Sequence, residues 1–236
     1  MVSTRSSAAL LAGAFGILAP LIAAAVVLLG GWLTPGYDPL ARTISRLAEP
    51  GLPAASAIDT AIYLVGLASL ALALTLGPGS RAGRAFLAIV GGALLVAAAI
   101  HLDPASARAT TEHRLATSIA MLALVGAPLA FASSLRGRAG WERYGRISFA
   151  FGAAEVGALL VALALLPTTF AGWGAWERCF LALPMAWMAF LSWRLLRAKK
   201  IDPIVGSTVE SSSWAIDASA EETMNAAAAT HRSGGS

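Results

Sequence analysis

The chain has 236 residues, of which 57% are hydrophobic and only 13% are charged, and its mean hydropathy is +0.71. Soluble domains carry about 25% charged residues, so this composition excludes an ordinary soluble domain. The net charge of +4 is compatible with a nucleic-acid partner, but the basic residues lie beside apolar runs, which is typical of membrane proteins. We therefore expect no nucleic acid. The single cysteine, Cys179, excludes an intrachain disulfide and a thiolate metal cage.

Six apolar runs predict transmembrane helices, because about 20 apolar residues in a helix cross the hydrocarbon core. The predicted spans are residues 8–30, 54–76, 85–101, 114–135, 147–166 and 177–196. The runs are continuous rather than alternating, so an all-α bundle of six helices is favoured over a barrel. The first run, from Ala8 to Leu29, exceeds the roughly 7–15 residues of a signal-peptide core, and we expect it to remain as a span.

The basic residues predict the orientation of these spans. They are more numerous on the side of the two termini than on the opposite side: Arg5, Arg81, Arg84, Arg136, Arg138, Arg143, Arg146, Arg194, Arg197, Lys199 and Lys200 against Arg42, Arg46, Arg108, Arg114 and Arg178. We expect a multi-pass protein of the cell (plasma) membrane. The positive-inside rule then places both of its termini in the cytoplasm. Residues 1–200 form the transmembrane domain. Residues 201–236, rich in Ser, Ala, Glu and Thr, are expected to be a disordered cytoplasmic tail.

The first extracytoplasmic loop predicts a short amphipathic helix. Asp38 can cap a helix whose first residue is Pro39. The helix would place apolar residues on one face and polar residues on another, namely Leu40, Ile44 and Leu47 against Arg42, Ser45 and Glu49. Such a helix lies in the membrane interface. It is either a lid that packs over the bundle or a gate whose Asp38, Arg42 and Ser45 face a pocket.

Four ionisable residues flank the short loop between spans three and four: His101, Asp103, Glu112 and His113. Imidazoles and carboxylates within reach of one another can bind a divalent metal or perform acid–base chemistry. No HExxH or HxxxH spacing supports zinc, so we expect no metal and no other cofactor. The remaining interpretations are a metal-free polar pocket, or simple capping by Thr110 or Thr111 with interface anchoring.

Glu155 lies well inside span five. An ionisable residue at that depth is a candidate functional site. The alternative is a protonated or hydrogen-bonded carboxyl group held by Thr117, Ser118 or another polar neighbour in the bundle.

Two charged pairs lie near the starts of other spans. Asp59 follows Ser56 by three residues, a pattern that predicts helix capping at the start of span two. Glu177 and Arg178 open span six. We expect an ion pair of Arg178 with an acid at the same membrane surface, or an anionic head group bound by Arg178.

Four of these features, in this order, resemble one family. They are Tyr37-Asp-Pro-Leu followed by Ile44-Ser-x-Leu47, then Asp103, then His113, and then Gly174-x-Trp-Glu-Arg178. Together they are similar to the six-span bacterial and archaeal membrane proteins catalogued as domain of unknown function 998, over about residues 8–198. The resemblance implies a shared outer pocket containing Ser45, Asp103 and His113, and it implies no particular reaction. Ala48 stands where that family usually has glycine, and a histidine is not expected at His101, which weakens a metal site there.

Four functions remain open from the sequence, and one of them is a purely structural or partner-binding role in which the tail recruits a cytoplasmic protein. The other three involve a ligand, a substrate or a solute. The first is an extracytoplasmic polar pocket that binds a lipid head group or another amphiphilic small molecule. The second is a membrane-embedded enzyme that performs acid–base or hydrolytic chemistry on a lipophilic substrate. His113 would be the general base or acid, Asp103 its orienter and Ser45 a candidate nucleophile, or Asp103 and Glu155 would catalyse a cyclisation or isomerisation. The third is a small-solute or proton-coupled transporter that uses Glu155. The candidate catalytic residues are Ser45, Asp103, His113 and Glu155, and the candidate ligand-binding residues are Asp38, Arg42, His101, Glu112, Glu177 and Arg178.

Overall fold

The structure is a computed structural model that describes residues 7–76, 80–137 and 141–197. Throughout this part of the chain the regular elements are helices, and six of them are long and apolar enough to cross a membrane. They are α1 (Ser7–Leu33), α2 (Ala55–Thr75), α3 (Arg81–Ala99), α4 (Ala107–Leu135), α5 (Glu142–Leu165) and α6 (Trp173–Arg197), with a 3₁₀ helix (Ile44–Ala48) between α1 and α2. The predicted all-α fold with six spans is confirmed. The predicted tail at 201–236 lies outside the described residues.

Four helices begin earlier than the apolar runs predict. They start at Arg81, Ala107, Glu142 and Trp173, against predicted starts at 85, 114, 147 and 177. A helix continues past its apolar residues until a cap or a turn ends it, and the extra turns here are more polar. For α4 the cap is Ser106, whose Oγ accepts a hydrogen bond from the Ala109 amide at 3.2 Å. Thr110 and Thr111, the expected caps, therefore lie inside the helix.

The six helices close into a ring. Consecutive helices pack against each other along the chain, and α6 packs against α1. The core contains Phe131 of α4 and Trp187 of α6, whose ring centroids lie 5.4 Å apart. The indole N–H of Trp187 donates to Ser148 Oγ of α5 at 3.1 Å, which satisfies the polar atom of this fully buried ring.

α1 and α6 approach each other most closely in one half of the bundle. A Cβ atom added at Gly16 would lie 2.1 Å from Ser192 Oγ, and one added at Gly13 would lie 2.8 Å from Leu196 Cγ. Small residues of this kind let two helix backbones come together in a membrane. In the other half, α1 residues from Pro20 to Leu28 and α6 residues from Arg178 to Met185 line an apolar cavity.

Candidate functional site

The loop from α1 to α2 is not the continuous helix that its sequence pattern predicts. Asp38 Oδ1 accepts from the Leu40 amide at 2.8 Å and starts a turn. The chain is then extended at Thr43, with ψ 158°, before the five-residue 3₁₀ helix. The predicted apolar face does not form either, because Leu40 is 65% exposed whereas Leu47 is fully buried. The position of this loop relative to the membrane surface stays a prediction.

The reason for this conformation lies in α6, whose N–H groups donate hydrogen bonds to loop carbonyls that a continuous helix would use internally. The Leu40 carbonyl accepts from the Ala175 amide at 2.9 Å. The carbonyls of Pro39 and Arg42 accept from Arg178 Nη1 at 2.8 and 3.1 Å. A helix needs those oxygens for its own amides four residues later. Contacts with a distant helix therefore override the local pattern.

Arg178 is the centre of this attachment. Besides the two loop carbonyls, its Nη1 donates to the Gly174 carbonyl at 2.9 Å, and its Nη2 donates to the Tyr37 hydroxyl at 2.7 Å. The loop lies so close to α6 that a Cβ atom at Gly174 would come within 2.2 Å of the Arg42 carbonyl oxygen. Glycine at position 174 is therefore a steric requirement of the attachment.

Tyr37 and Glu177 hold the same loop from its two sides. The Tyr37 hydroxyl is 2.9 Å from the carbonyls of Arg42 and Thr43, to which it can donate. Burial raises the pKa of the Tyr37 phenol above its ordinary value of 10.0, and the hydrogen bond and charge of Arg178 oppose this shift. The buried carboxylate of Glu177 accepts from the Ile44 amide at the start of the 3₁₀ helix.

The expected ion pair of Arg178 is absent from the ion pairs of the described residues. Arg178 instead binds main-chain carbonyls and the Tyr37 hydroxyl of the first loop, and Glu177 binds the Ile44 amide. The side chain of Arg42 is exposed and makes no hydrogen bond with any described residue, so in this loop it is the carbonyl of Arg42 that makes the contacts.

The structure brings together Ser45 and His113, two of the candidate catalytic residues. His113 is 1% exposed, and its Nε2 lies 3.2 Å from Ser45 Oγ. Its Nδ1 lies 2.7 Å from the Ile100 carbonyl and 3.1 Å from the Ala97 carbonyl at the end of α3. Carbonyl oxygens only accept, so Nδ1 carries the proton, and in the neutral ring Nε2 accepts from the serine hydroxyl.

Asp103 does not take the position beside His113 that the enzyme hypothesis gives it. Its Oδ1 accepts from the Ala105 amide at 2.8 Å, and its carbonyl accepts from Thr110 Oγ1 at 2.7 Å. Asp103 therefore shapes the α3–α4 loop, and main-chain carbonyls orient His113. Sequence reasoning could not find these carbonyls, because every residue has one.

The other candidates near this loop are separated from one another. His101 Nδ1 pairs with Asp59 Oδ2 at 3.0 Å, and Glu112 pairs with Arg108 one turn away at 2.7 Å. Asp59 thus lies inside α2 and reaches the α3–α4 loop, so the predicted capping with Ser56 is wrong. Across the described ranges, no group of three or more His, Cys, Asp or Glu side chains is arranged to hold a metal ion.

Glu155 lies on a buried stripe of α5 together with Gly145, Ser148 and Gly152. It is fully buried, and neither carboxyl oxygen has a hydrogen-bond partner among the residues that the structure describes. Thr117 bonds the carbonyls of His113 and Arg114 in its own helix, so the expectation that Thr117 or Ser118 holds Glu155 is wrong. An unsatisfied buried polar group costs stability, so Glu155 stays a candidate for a functional role.

An apolar cavity of about 310 Å³ lies below the first loop. Its walls come from α1, α2 and α6, with Leu94 of α3 and Leu124 of α4 completing them, and Ile44 of the 3₁₀ helix and Arg178 also line it. Arg178 is the one charged residue in this lining. A volume of this size lies at the lower end of the roughly 300–1,000 Å³ of small-molecule sites.

The comparisons with known proteins agree with the predicted resemblance. No curated protein and no solved structure matches the chain. The profile of a family described as "Protein of unknown function (DUF998)" matches residues 17–194, which include the loop, His113 and Arg178. The chain therefore belongs to the DUF998 family of membrane proteins.

Proposed function

We propose that the cavity binds the apolar part of an amphiphilic small molecule or lipid, with its polar head group at Arg178. The observation that carries this proposal is a cavity of about 310 Å³ in which sixteen lining residues include a single charged one. Apolar walls with one well-placed polar group are typical of ligand sites. The head group would lie on the extracytoplasmic side if the basic residues orient the protein as expected.

The hydrogen bonds of Arg178 support a head group that accepts hydrogen bonds. A guanidinium has five N–H donors. The contacts of Arg178 within the described ranges use Nη1 and one hydrogen of Nη2, which leaves the Nε hydrogen and one Nη2 hydrogen available. A carboxylate or phosphate is the group that such a pair of donors binds best.

The position of the cavity between α1 and α6 supports entry from the bilayer. The two helices touch at Gly13 and Gly16, and the cavity begins at Pro20. Proline lacks an amide hydrogen, so it is a position where a helix bends. Exposed residues of both helices, Leu28 and Ala182, lie at the edge of the cavity. A lipid in the bilayer would thus reach the cavity without crossing water.

Native mass spectrometry of the detergent-purified protein tests the proposal. The expected result is a co-purified amphiphile on the wild-type chain, and its loss from Ala182→Trp, which fills the mouth of the cavity. Ala186→Trp is the matched control, because Ala186 is exposed one turn further along α6 and does not line the cavity. A bare wild-type mass after purification in a mild detergent, or equal retention by both variants, would overturn the proposal.

A further inference from the structure

We propose that Ser45 and His113 form a nucleophile and general base that cleave an ester or amide bond of an amphiphile. The choice of an amphiphile rests on the proposed function of the cavity, whereas the reaction rests on the geometry of the two side chains. A serine hydroxyl is a weak nucleophile until an adjacent base removes its proton. The contact of 3.2 Å between Ser45 Oγ and His113 Nε2 is within the reach that this transfer needs, allowing for the looser contacts of unliganded sites.

The surroundings of His113 prepare it for that role. Its Nδ1–H is held by two main-chain carbonyls at 2.7 and 3.1 Å, so the ring is fixed in the tautomer whose Nε2 lone pair faces Ser45. In hydrolases with a serine nucleophile, a third group orients the histidine in the same way. Here two carbonyls of α3 and its C-terminus take that place.

Ser45 also has the exposure and the position that a nucleophile requires. It is partly exposed, whereas His113 behind it is buried. Its neighbour Ile44 lines the apolar cavity, so the 3₁₀ helix carries the nucleophile and one wall of the cavity in consecutive residues. An acyl chain in the cavity would place its carbonyl group near this helix.

The reaction balances with water as the second substrate. Ser45 Oγ bonds to the carbonyl carbon and its proton passes to His113 Nε2. The bond to the leaving group breaks, and His113 returns the proton to the departing alcohol or amine. Water then attacks the acylated serine, gives its proton to His113, and releases the free acid as the proton returns to Ser45 Oγ. No oxidant or reductant takes part.

Labelling with an alkyl fluorophosphonate tests the proposal, because an activated serine forms an Oγ–P bond with it and releases fluoride. We expect intact-mass analysis of the full-length protein to show one adduct, located on Ser45 by peptide mapping. Ser45→Ala abolishes the adduct, and Thr43→Ala keeps it, since Thr43 is a partly exposed hydroxyl two residues away that has no histidine partner among the described residues. No adduct on the folded wild-type protein overturns the proposal.

A second measurement does not depend on the probe. In a Cys179→Ser background, Ser45→Cys should react with iodoacetamide about tenfold or more faster than Thr43→Cys, because a nearby imidazole increases the thiolate fraction. Equal rates contradict activation by His113.

Two probe lengths separate this proposal from the proposed function. If the cavity binds the chain, Ala182→Trp lowers labelling by a long-chain fluorophosphonate and leaves labelling by a short-chain one unchanged. Equal labelling of the variant by both probes would refute the cavity proposal and leave the serine and histidine in place. Absence of labelling of the wild-type protein by both probes would refute the proposed reaction of Ser45 and His113 and would leave the cavity proposal standing.

Discussion

Arg178 and Tyr37 lie 141 residues apart in the chain, and Nη2 of Arg178 donates a hydrogen bond of 2.7 Å to the Tyr37 hydroxyl. Through this bond and its carbonyl contacts, Arg178 attaches the first loop to α6. The loop in turn carries Ser45 and one wall of the cavity. The attachment therefore determines the geometry of both proposed activities.

Arg178→Gln should destabilise the protein, because it leaves several polar groups of the first loop without their charged donor. Hydrogen bonds to charged groups contribute about 1.5–3 kcal/mol each, and exposure reduces that figure, so we expect a loss of about 1–3 kcal/mol. For a chain of this size this corresponds to a melting temperature lower by roughly 2–4 °C per kcal/mol. Thermal unfolding in detergent measures it.

The matched control is Arg42→Gln, since the side chain of Arg42 is exposed and makes no hydrogen bond with the described residues. Its effect should stay within about 0.5 kcal/mol. Equal destabilisation by the two variants would show that Arg178 does not attach the loop.

Gly174→Ala should weaken the same attachment by a different cause. The added Cβ atom would lie 2.2 Å from the Arg42 carbonyl oxygen and 2.6 Å from that of Pro39, and these are main-chain atoms that cannot rotate away. We expect the loop to separate from α6, with faster proteolytic cleavage within residues 36–51. Gly157→Ala is the control, because a Cβ atom there meets nothing within 4 Å. Unchanged cleavage of Gly174→Ala would contradict the packing described.

Glu155→Leu should leave the protein as stable as the wild type or make it more stable. The buried carboxyl group has no hydrogen-bond partner among the described residues, and an unsatisfied buried polar group costs about 1–3 kcal/mol. The melting temperature of the purified variant measures this effect. A large loss of stability would reveal that Glu155 is held by an interaction important to the fold.

If Glu155 serves a transport function, the stable Glu155→Leu variant should lose it. Uptake into vesicles containing the purified protein, compared between the two chains, is the measurement. Equal proton or solute flux for both chains and for empty vesicles would remove the transporter alternative.

The stability of the protein should fall at high pH partly through Tyr37. Burial raises the pKa of its phenol above 10.0 in the folded state, so the folded chain keeps this proton at a pH where the unfolded chain loses it. The resulting stabilisation by Tyr37 is fully present below about pH 10 and is lost as the pH rises through the pKa of the folded state. Thermal unfolding from pH 8 to 11 should show a smaller decline for Tyr37→Phe than for the wild type. Parallel declines would exclude this contribution.

Local sequence patterns predicted some features of the site and missed others for one physical reason. Asp38 starts a turn as its sequence position indicates, because its partners are the next amides in the chain. Asp59 matched a capping pattern equally well, yet its partner is His101 on another helix end. A short polar motif specifies local hydrogen bonds only where no stronger distant partner competes for the side chain.

The six spans, the all-α class and the family follow from the sequence by itself, because the thickness of the bilayer demands long apolar helices whatever their neighbours are. The contact between Ser45 and His113, 68 residues apart, was decided by tertiary structure, as was the attachment of the first loop by Arg178. The cavity was likewise decided by tertiary structure, because its walls come from α1, α2, α3, α4, α6 and the 3₁₀ helix together. These features depend on how helix ends meet in space, and the sequence periodicity of a single segment does not encode the distance between two helix ends.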